Sequence, residues 1–172
     1  LITEARMRKI VHEIAELDRK FQPIIEQSEL CDIARSNPER SHFESLVSSV
    51  ISQQLATAAA RTIKQRFIFE CGKVTPKNVA KLDEAELRGV GLSTAKSKTI
   101  KGLAQASLNK EIDFNKLHEQ DDQEVYRSLT SLWGIGPWTV DMFMMFQLGR
   151  LDIWPTGDLG VRRGWEKVHK LK

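Results

Sequence analysis

The chain has 172 residues, of which 41% are hydrophobic and 28% charged, and its formal net charge is +3. Such a length and composition are typical of one globular domain with a sizeable core, and the mild charge excludes a polycation that binds nucleic acid by charge alone. Cys31 and Cys71 form no C-x-x-C pair, so the residues present cannot build a zinc site or a four-cysteine iron–sulfur cluster, and we expect reduced thiols in an intracellular protein. No run approaches the roughly 20 apolar residues of a membrane span, no signal peptide opens the chain, and the missing initiator Met suggests a fragment.

Apolar residues recur at three- and four-residue steps along most of the chain, which predicts an all-α fold. The first helix carries this pattern from Met7 to Leu17 and is expected to end near Pro23. Ser41 is predicted to cap the next helix, with Glu44 completing a capping box. Further helices are predicted up to Cys71-Gly72 and over residues 76–82, 84–87, 93–108, 122–132 and 137–148, and a last one is capped by Asp158.

The stretch "LWGIGPWTVDM", Leu132 to Met142, places two glycines just before a helical run. Glycines permit positive φ and close approach of another backbone, and the first turn of a helix presents unpaired N–H groups to an anion. Main-chain amides near Gly134, Gly136 and Thr139 are therefore candidates for gripping a phosphate oxygen, with Pro137 suited to the first helical position. Taken alone, the stretch is more typical of an ordinary interhelical turn than of an anion site.

A similar stretch, "LRGVGLSTAK", begins at Leu87 and shares the pattern Leu-x-Gly-apolar-Gly-x-x-Thr. Both stretches fall between two helical runs. This repetition predicts that the same helix–turn–helix device is used twice.

Three stretches together resemble the helix–hairpin–helix DNA glycosylases. They are the glycine hairpin at Leu132, the later "IWPTGDLGVRRGW" with a single aspartate at Asp158, and the earlier "FESLVSSVISQQLATAAA". Within that superfamily the chain is most similar to the alkylpurine branch, DNA-3-methyladenine glycosylase II, over roughly Phe43 to Trp165. The combination of motifs is far more specific than any one of them.

The resemblance implies a two-lobed helical HhH-GPD glycosylase fold with a cleft between the lobes. Residues 1–172 would form a single glycosylase domain. One lobe would cover about residues 42–150 and contain the hairpin at 132–142. The second would combine the N-terminal helix with the C-terminal segment, which family members extend with further helices.

The resemblance also implies that Asp158 is the catalytic carboxylate. Cleavage of an N-glycosidic bond develops positive charge on the sugar, which a nearby carboxylate stabilises. An alkylated purine is already cationic and leaves without much protonation, so one carboxylate suffices. The alternative for Asp158 is a plain helix N-cap, and Asp141 and Asp152 are weaker candidates for the catalytic role.

Trp138 stands where the bifunctional relatives carry a lysine that forms a Schiff base with the sugar, so a monofunctional glycosylase without lyase activity is expected. The same residue matches an aromatic position of the base pocket, where it would stack on a cationic base. Met142 falls where a relative has a tyrosine and is expected in the pocket as well. The other tryptophans, Trp133, Trp154 and Trp165, are expected in the core.

A base must leave the duplex before it is excised, and an apolar side chain holds the gap open. Leu55 matches the position of the family's wedge residue. The alternative is that Leu55 is a core residue at a bend between two helices. Gln53 and Gln54 are expected to bond the orphaned base or nearby backbone. Thr94, Lys96 and Lys98, in the earlier glycine turn, are expected to touch the DNA strand that the hairpin holds.

The resemblance further implies that backbone carbonyls of Thr130, Leu132 and Ile135 hold a monovalent cation, Na⁺ or K⁺, and that no cofactor is required. The expected partner is double-stranded DNA containing alkylated bases. We expect a monomer with no membrane contact, in the nucleus of a eukaryote or the cytoplasm of a bacterium.

Two alternatives remain at this stage. One is a non-catalytic helix–hairpin–helix DNA-binding protein, and the other is a glycosylase of the same superfamily for other damaged or mismatched bases. Asp158 speaks against the first, and Trp138 together with the missing cysteine cluster speaks against lyase-type members of the second.

Overall fold

The structure, a computed structural model, describes residues 2–34 and 38–170, and these residues form helices with no β-strand among them. The predicted all-α class is confirmed. The α-helices are α1 Glu4–Leu17, α2 Gln22–Gln27, α3 His42–Ser52, α4 Thr57–Cys71, α5 Pro76–Lys81, α6 Glu84–Gly89, α7 Thr94–Leu108, α8 Asp122–Thr130, α9 Pro137–Phe146 and α10 Leu159–His169. Short 3-10 helices cover Arg19–Phe21 and Phe114–Glu119. In this described part, no helix is both long and apolar enough to cross a membrane.

The helices group into two compact units. The first, which we call the hairpin unit, comprises residues 39–143. The second, the terminal unit, combines residues 1–38 with residues 144–172.

Helix α7 lies in the middle of the hairpin unit and packs against α3, α5 and α6. Its inward face repeats apolar residues at three- and four-residue steps, as does the face of α3, and α5 contributes the buried Val79. Fully burying one such Leu, Ile or Val contributes about 1.5–3 kcal/mol. The residues with no measurable exposure include Leu46, Val50, Val79, Leu87, Ile100, Leu103, Leu117, Val125 and Leu129.

Helix starts follow the predicted caps, with one correction. The Ser41 hydroxyl accepts the Glu44 N–H at 3.2 Å, as expected. The predicted capping box is wrong, because the Glu44 carboxylate lies 3.6 Å from the Arg40 guanidinium nitrogen Nε and does not return to the Ser41 backbone.

The chain around Pro23 also differs from the prediction. Helix α1 already ends at Leu17, and Asp18 accepts the Lys20 N–H at 3.0 Å to start the 3-10 turn. Pro23 then falls in the first turn of α2, where its missing N–H removes no helical hydrogen bond. The proline therefore helps to begin a helix where it was expected to end one.

Three tryptophans expected in the core are exposed. Trp154 is 61% exposed and Trp165 41%, and their rings lie 5.5 Å apart in the terminal unit, edge to face. Trp133 is 54% exposed and lies 4.4 Å from the Lys98 ammonium, which sits over its ring. These indoles stack on other rings or on a cation at the surface, so the core prediction is wrong for all three.

Trp165 also stacks on His169 at 4.0 Å, and His169 Nε2 lies 2.7 Å from the Asp18 carboxylate. This contact ties α10 to the turn after α1, 151 residues away in sequence. The hydrogen bond from His169 lowers the pKa of Asp18 below its ordinary value, with a smaller contribution from the Lys20 backbone N–H.

Candidate functional site

The glycine hairpin connects α8, which ends at Thr130, to α9, which begins at Pro137. The Ile135 N–H donates to the Leu132 carbonyl at 3.1 Å, and Gly134 occupies the third position of this β-turn with φ +81°. A Cβ on Gly134 would lie 2.0 Å from the Thr99 hydroxyl of the buried α7. Glycine is therefore required at 134 both for its φ and for the close approach of α7.

Two of the three amides expected to bind phosphate remain available. The N–H groups of Gly134 and Gly136 have no hydrogen-bond acceptor among the described residues. The Thr139 N–H donates to the Gly136 carbonyl at 3.0 Å, and Thr139 is only 2% exposed. The Thr139 amide is therefore engaged within the first turn of α9, and its contact with a phosphate stays a prediction. Gly134 and Gly136 are left as donors to an anion.

The loop between α3 and α4 is joined to the hairpin by one side chain. Gln53 Nε2 donates to the Gly134 carbonyl at 3.2 Å and to the Thr139 hydroxyl at 3.0 Å. Gln54, the next residue, is exposed and has φ +56°, a left-handed conformation uncommon outside glycine. Leu55 follows at the tip of the loop and is 38% exposed, as an inserting side chain requires and a core residue does not.

Lys96 supports this loop from the first turns of α7. Its ammonium donates to the carbonyls of Ile51 at 2.8 Å and Gln53 at 2.7 Å, which lie at the end of α3. Burial lowers the pKa of Lys96. Thr94, two residues earlier, is exposed at the start of α7. The predicted contacts of Lys96 and Thr94 with DNA stay predictions.

The earlier glycine stretch forms a different turn. Gly91 carries the positive φ of +101°, and the N–H groups of Gly91 and Leu92 donate to Arg88 and Leu87 at 2.9 and 3.2 Å. This is a Schellman end of α6. In the hairpin the positive φ belongs to the first glycine, Gly134. Both stretches join two helices, as predicted, but the shared residues form turns of two different backbone conformations.

Helix α9 presents the two expected base-pocket residues one turn apart. Trp138 is 37% exposed, and Met142 is half-buried. Residues four apart lie on the same face of a helix, so an indole and a thioether line one strip. Asp141 also lies on α9, where burial raises the pKa of its carboxyl. Burial, and secondarily the Asp141 charge, raises the pKa of Tyr126.

Asp158 is the N-cap of α10, in the terminal unit. Its Oδ1 atom accepts the Val161 N–H at 2.8 Å, and its own N–H donates to the Pro155 carbonyl at 2.9 Å. The side chain is half-buried, whereas Asp152 is exposed. The cap is confirmed, and the cap itself uses the Oδ1 atom of the carboxylate. The catalytic role of Asp158 stays a prediction.

The hairpin carbonyls proposed to hold a cation come from a six-residue stretch, Thr130 to Ile135. The Leu132 oxygen accepts the Ile135 N–H, and a carbonyl oxygen has a second lone pair for a hard cation. Carbonyl oxygens are ligands that Na⁺ and K⁺ accept, so the donor set fits. Among the described residues no cluster of three or more His, Cys, Asp or Glu could hold a metal ion. The cation at the hairpin stays a prediction.

Residues 47–172 match the model of a family described as the HhH-GPD superfamily of base excision DNA repair proteins. The chain belongs to the HhH-GPD superfamily. The hairpin and Asp158 both fall inside the matched range.

Two curated relatives within the HhH-GPD superfamily come from Schizosaccharomyces pombe. DNA-3-methyladenine glycosylase 1 is 35% identical over 141 residues, which are 80% of this chain and 62% of the relative. The alkylbase DNA glycosidase-like protein mag2 is 31% identical over 150 residues, which are 84% of this chain and 70% of that protein. The chain thus spans about two thirds of the length of these relatives.

A solved structure of 3-methyladenine DNA glycosylase from Schizosaccharomyces pombe in complex with abasic DNA has the same fold. The TM-score is 0.73 at 32% sequence identity, over 80% of this chain and 69% of that one. The fold of the HhH-GPD chain is therefore that of a protein solved on DNA.

Sequence reasoning missed two features of the site. Thr99, whose hydroxyl fixes the need for glycine at 134, carries no local signal, because its role arises only when α7 meets the hairpin. The bridging role of Gln53 was also missed, since its two acceptors lie 81 and 86 residues away.

Proposed function

We propose that this HhH-GPD protein is a monofunctional DNA glycosylase that excises alkylated purines, such as 3-methyladenine and 7-methylguanine, from double-stranded DNA. Family membership and the names of the relatives support an N-glycosylase of base excision repair. The relative solved on abasic DNA supports DNA as the partner. The activity requires no cofactor in this proposal, and the protein acts as a monomer.

The observation that carries the proposal is the hydrogen bonding between the α3–α4 loop and the glycine hairpin, the two elements of the hairpin unit that we propose to contact DNA. The unpaired amides of Gly134 and Gly136 offer an anion site, and the exposed Leu55 offers a wedge. Gln53 fixes one to the other through two hydrogen bonds. A phosphate held at the hairpin therefore sets the position of the duplex relative to Leu55.

The chemistry follows from the charge of the lesion. In an N-alkylated purine the base is already cationic, so the electron pair of the C1′–N bond leaves with it and neutralises the base. Positive charge remains on the sugar, where the carboxylate of Asp158 stabilises it. Water then adds to C1′ and loses a proton, giving an abasic site and the free base.

Trp138 and Met142 are the residues proposed to receive the everted base. The face of an indole attracts a cation, by roughly 0.5–2 kcal/mol depending on solvation. A methionine next to it adapts its shape to different purines because its side chain is flexible and polarizable. This strip favours a cationic purine over a neutral one.

No lyase step is part of the proposal. Strand cleavage through a Schiff base needs an amine at the position that Trp138 occupies, and an indole nitrogen cannot form an imine. The expected product is an intact strand with an abasic site.

The test is a base-release assay on three duplexes that carry a methylated, an oxidised or a deaminated base. The proposal expects release of 3-methyladenine and 7-methylguanine and no strand scission before alkaline treatment. DNA binding without any released base would support a non-catalytic binding protein. Release confined to oxidised or deaminated bases would assign the protein to another substrate class.

A further inference from the structure

The hairpin unit carries a second polar feature, a groove of about 440 Å³ beside the tip of the α3–α4 loop. Helix α4 supplies most of the groove's lining, and Leu55 lines it as well. The lining residues include Arg40, Leu55, Thr57, Arg61, Lys64 and Ile68. The glycine hairpin does not line the groove.

Three of these residues are cationic, and few carboxylates oppose them. The Glu44 carboxylate lies 3.6 Å from Arg40 Nε and offsets one charge. Arg61 and Lys64 have no carboxylate within 4 Å among the described residues. The groove therefore carries an excess of positive charge.

Lys64 shows that this arrangement has an energetic cost. Its side chain is half-buried, and burial lowers its pKa, with a further lowering from the charge of Arg40. Holding like charges together in a partly desolvated place is unfavourable without an anion, and such arrangements occur preferentially at functional sites.

The start of α4 adds partial positive charge at the same place. Its N-cap, Ala56, offers no side-chain hydrogen bond to the first turn, and Thr57 at that turn lines the groove. Amides at the start of a 15-residue helix favour a negative group nearby. The partial positive charge of these amides adds to the charges of the side chains, and both favour an anionic ligand.

We propose that this groove binds the sugar–phosphate backbone of the DNA strand next to the point where Leu55 enters the duplex, with Arg61 and Lys64 contacting successive phosphates. The inference rests on the proposed function in taking DNA as the partner and Leu55 as the side chain that enters the duplex. Leu55 argues for DNA over an acidic peptide, because the groove begins where the inserted side chain would lie. Ile68 gives the groove an apolar wall against which the sugar packs.

The test compares two double variants of equal charge. Arg61→Gln with Lys64→Gln removes both groove cations, and Arg66→Gln with Lys77→Gln removes two exposed cations outside the groove. Binding to a duplex with a tetrahydrofuran abasic analogue is measured by fluorescence anisotropy over a range of salt concentrations. Each phosphate contact contributes about 0.9 to the slope of log K against log salt.

We expect the groove variant to lose about two from this slope and on the order of tenfold or more in affinity at 0.1 M salt, with the control unchanged. Phosphate-ethylation interference should show two positions that matter for the wild type and the control but not for the groove variant. Two single variants that keep Arg61 complete the test. Lys64→Gln should lose part of the salt slope and one ethylation position, and Lys64→Arg, which keeps the charge, should retain both. Equal slopes for the groove and control variants would overturn the inference, as would retained ethylation positions.

Failure of this inference is distinguishable from failure of the proposed function. Base release by the wild type with equal salt slopes for both variants would reject the groove and keep the glycosylase. Loss of slope in the groove variant with no base release by the wild type would keep the groove and reject the enzyme. Tighter wild-type binding to an acidic peptide than to the duplex would assign the groove to a protein partner and overturn the inference.

Discussion

Gln53 and Thr139 lie 86 residues apart in sequence, and the Gln53 amide donates to the Thr139 hydroxyl at 3.0 Å. The same nitrogen also donates to the Gly134 carbonyl. The loop that carries Leu55 and the hairpin that offers backbone amides are thereby held as one surface. The first predictions test this connection.

Gln53→Ala should lower the free energy of unfolding by about 1–2 kcal/mol, because it removes a partly buried hydrogen bond to the Thr139 hydroxyl and an exposed one to the Gly134 carbonyl. DNA affinity should fall with it, since the wedge loop loses its register with the hairpin. Urea denaturation and anisotropy measure the two effects. Gln54→Ala is the matched control, because that exposed side chain has no described partner, and its stability should stay within about 0.5 kcal/mol of wild type. An equal effect of the two substitutions on the free energy of unfolding would contradict the linking role of Gln53.

The two hairpin glycines should respond differently to alanine. Gly134→Ala places a methyl group 2.0 Å from the Thr99 hydroxyl and forces alanine to φ +81°, so we expect a loss of about 1–3 kcal/mol of stability. Gly136→Ala meets no atom within 4 Å and has no positive φ, so its stability should be nearly that of wild type.

DNA binding separates the roles of these glycines further. Gly136→Ala should weaken binding by roughly tenfold or more despite its intact fold, because the methyl group stands where a phosphate approaches the amide. Thermal denaturation and anisotropy on the same preparations test this. Wild-type affinity of folded Gly136→Ala would show that no strand comes close to this turn.

Stability should fall as the pH drops through the range of His42. Burial lowers the pKa of this residue below its ordinary value of 6.5, and the charge of His118, whose ring lies 5.7 Å away, lowers it further. The unfolded chain therefore binds the proton more readily, so the contribution of His42 is complete above about pH 6.5 and is lost as the pH falls below it.

His42→Gln should flatten this pH dependence between about pH 7.5 and pH 5.5, and His118→Gln should flatten it partly, as the smaller cause. His12→Gln, an exposed substitution on α1, is the control and should keep the wild-type dependence. The free energy of unfolding at each pH is the measurement. An unchanged slope in His42→Gln would assign the acid sensitivity to other groups.

Local pattern predicted most of the helices and the Asp158 cap, because periodic apolar residues and a polar residue before a helix act over a few positions. The bond from Gln53 to the hairpin and the clash behind Gly134 could not be predicted, since both join residues that are far apart in sequence. Trp154 and Trp165 were misassigned for a related reason. Their size suggested the core, but they stack on each other at the surface of the terminal unit.

The indole of Trp138 predicts that the protein has no lyase activity. The wild type should give no borohydride-trapped complex with abasic DNA, since no amine stands at this position. A trapped complex with the wild type would overturn the monofunctional assignment.

Substitutions of Trp138 test its place in the base pocket. Trp138→Ala should lower release of 7-methylguanine by about tenfold or more while Trp138→Phe keeps part of it, because a phenyl ring still stacks on a cationic base. Equal release by the wild type and both variants would remove Trp138 from the pocket.

The central claim is that the carboxylate of Asp158 stabilises positive charge on the sugar. Asp158→Asn tests it most directly, because asparagine caps a helix as well as aspartate and should keep the bond to Val161 N–H and the fold. Single-turnover release of 7-methylguanine should fall by at least about 10²-fold, with affinity for abasic DNA close to wild type. Asp141→Asn and Asp152→Asn should keep their activity. Near-normal release by folded Asp158→Asn, or its loss in either control, would contradict the account.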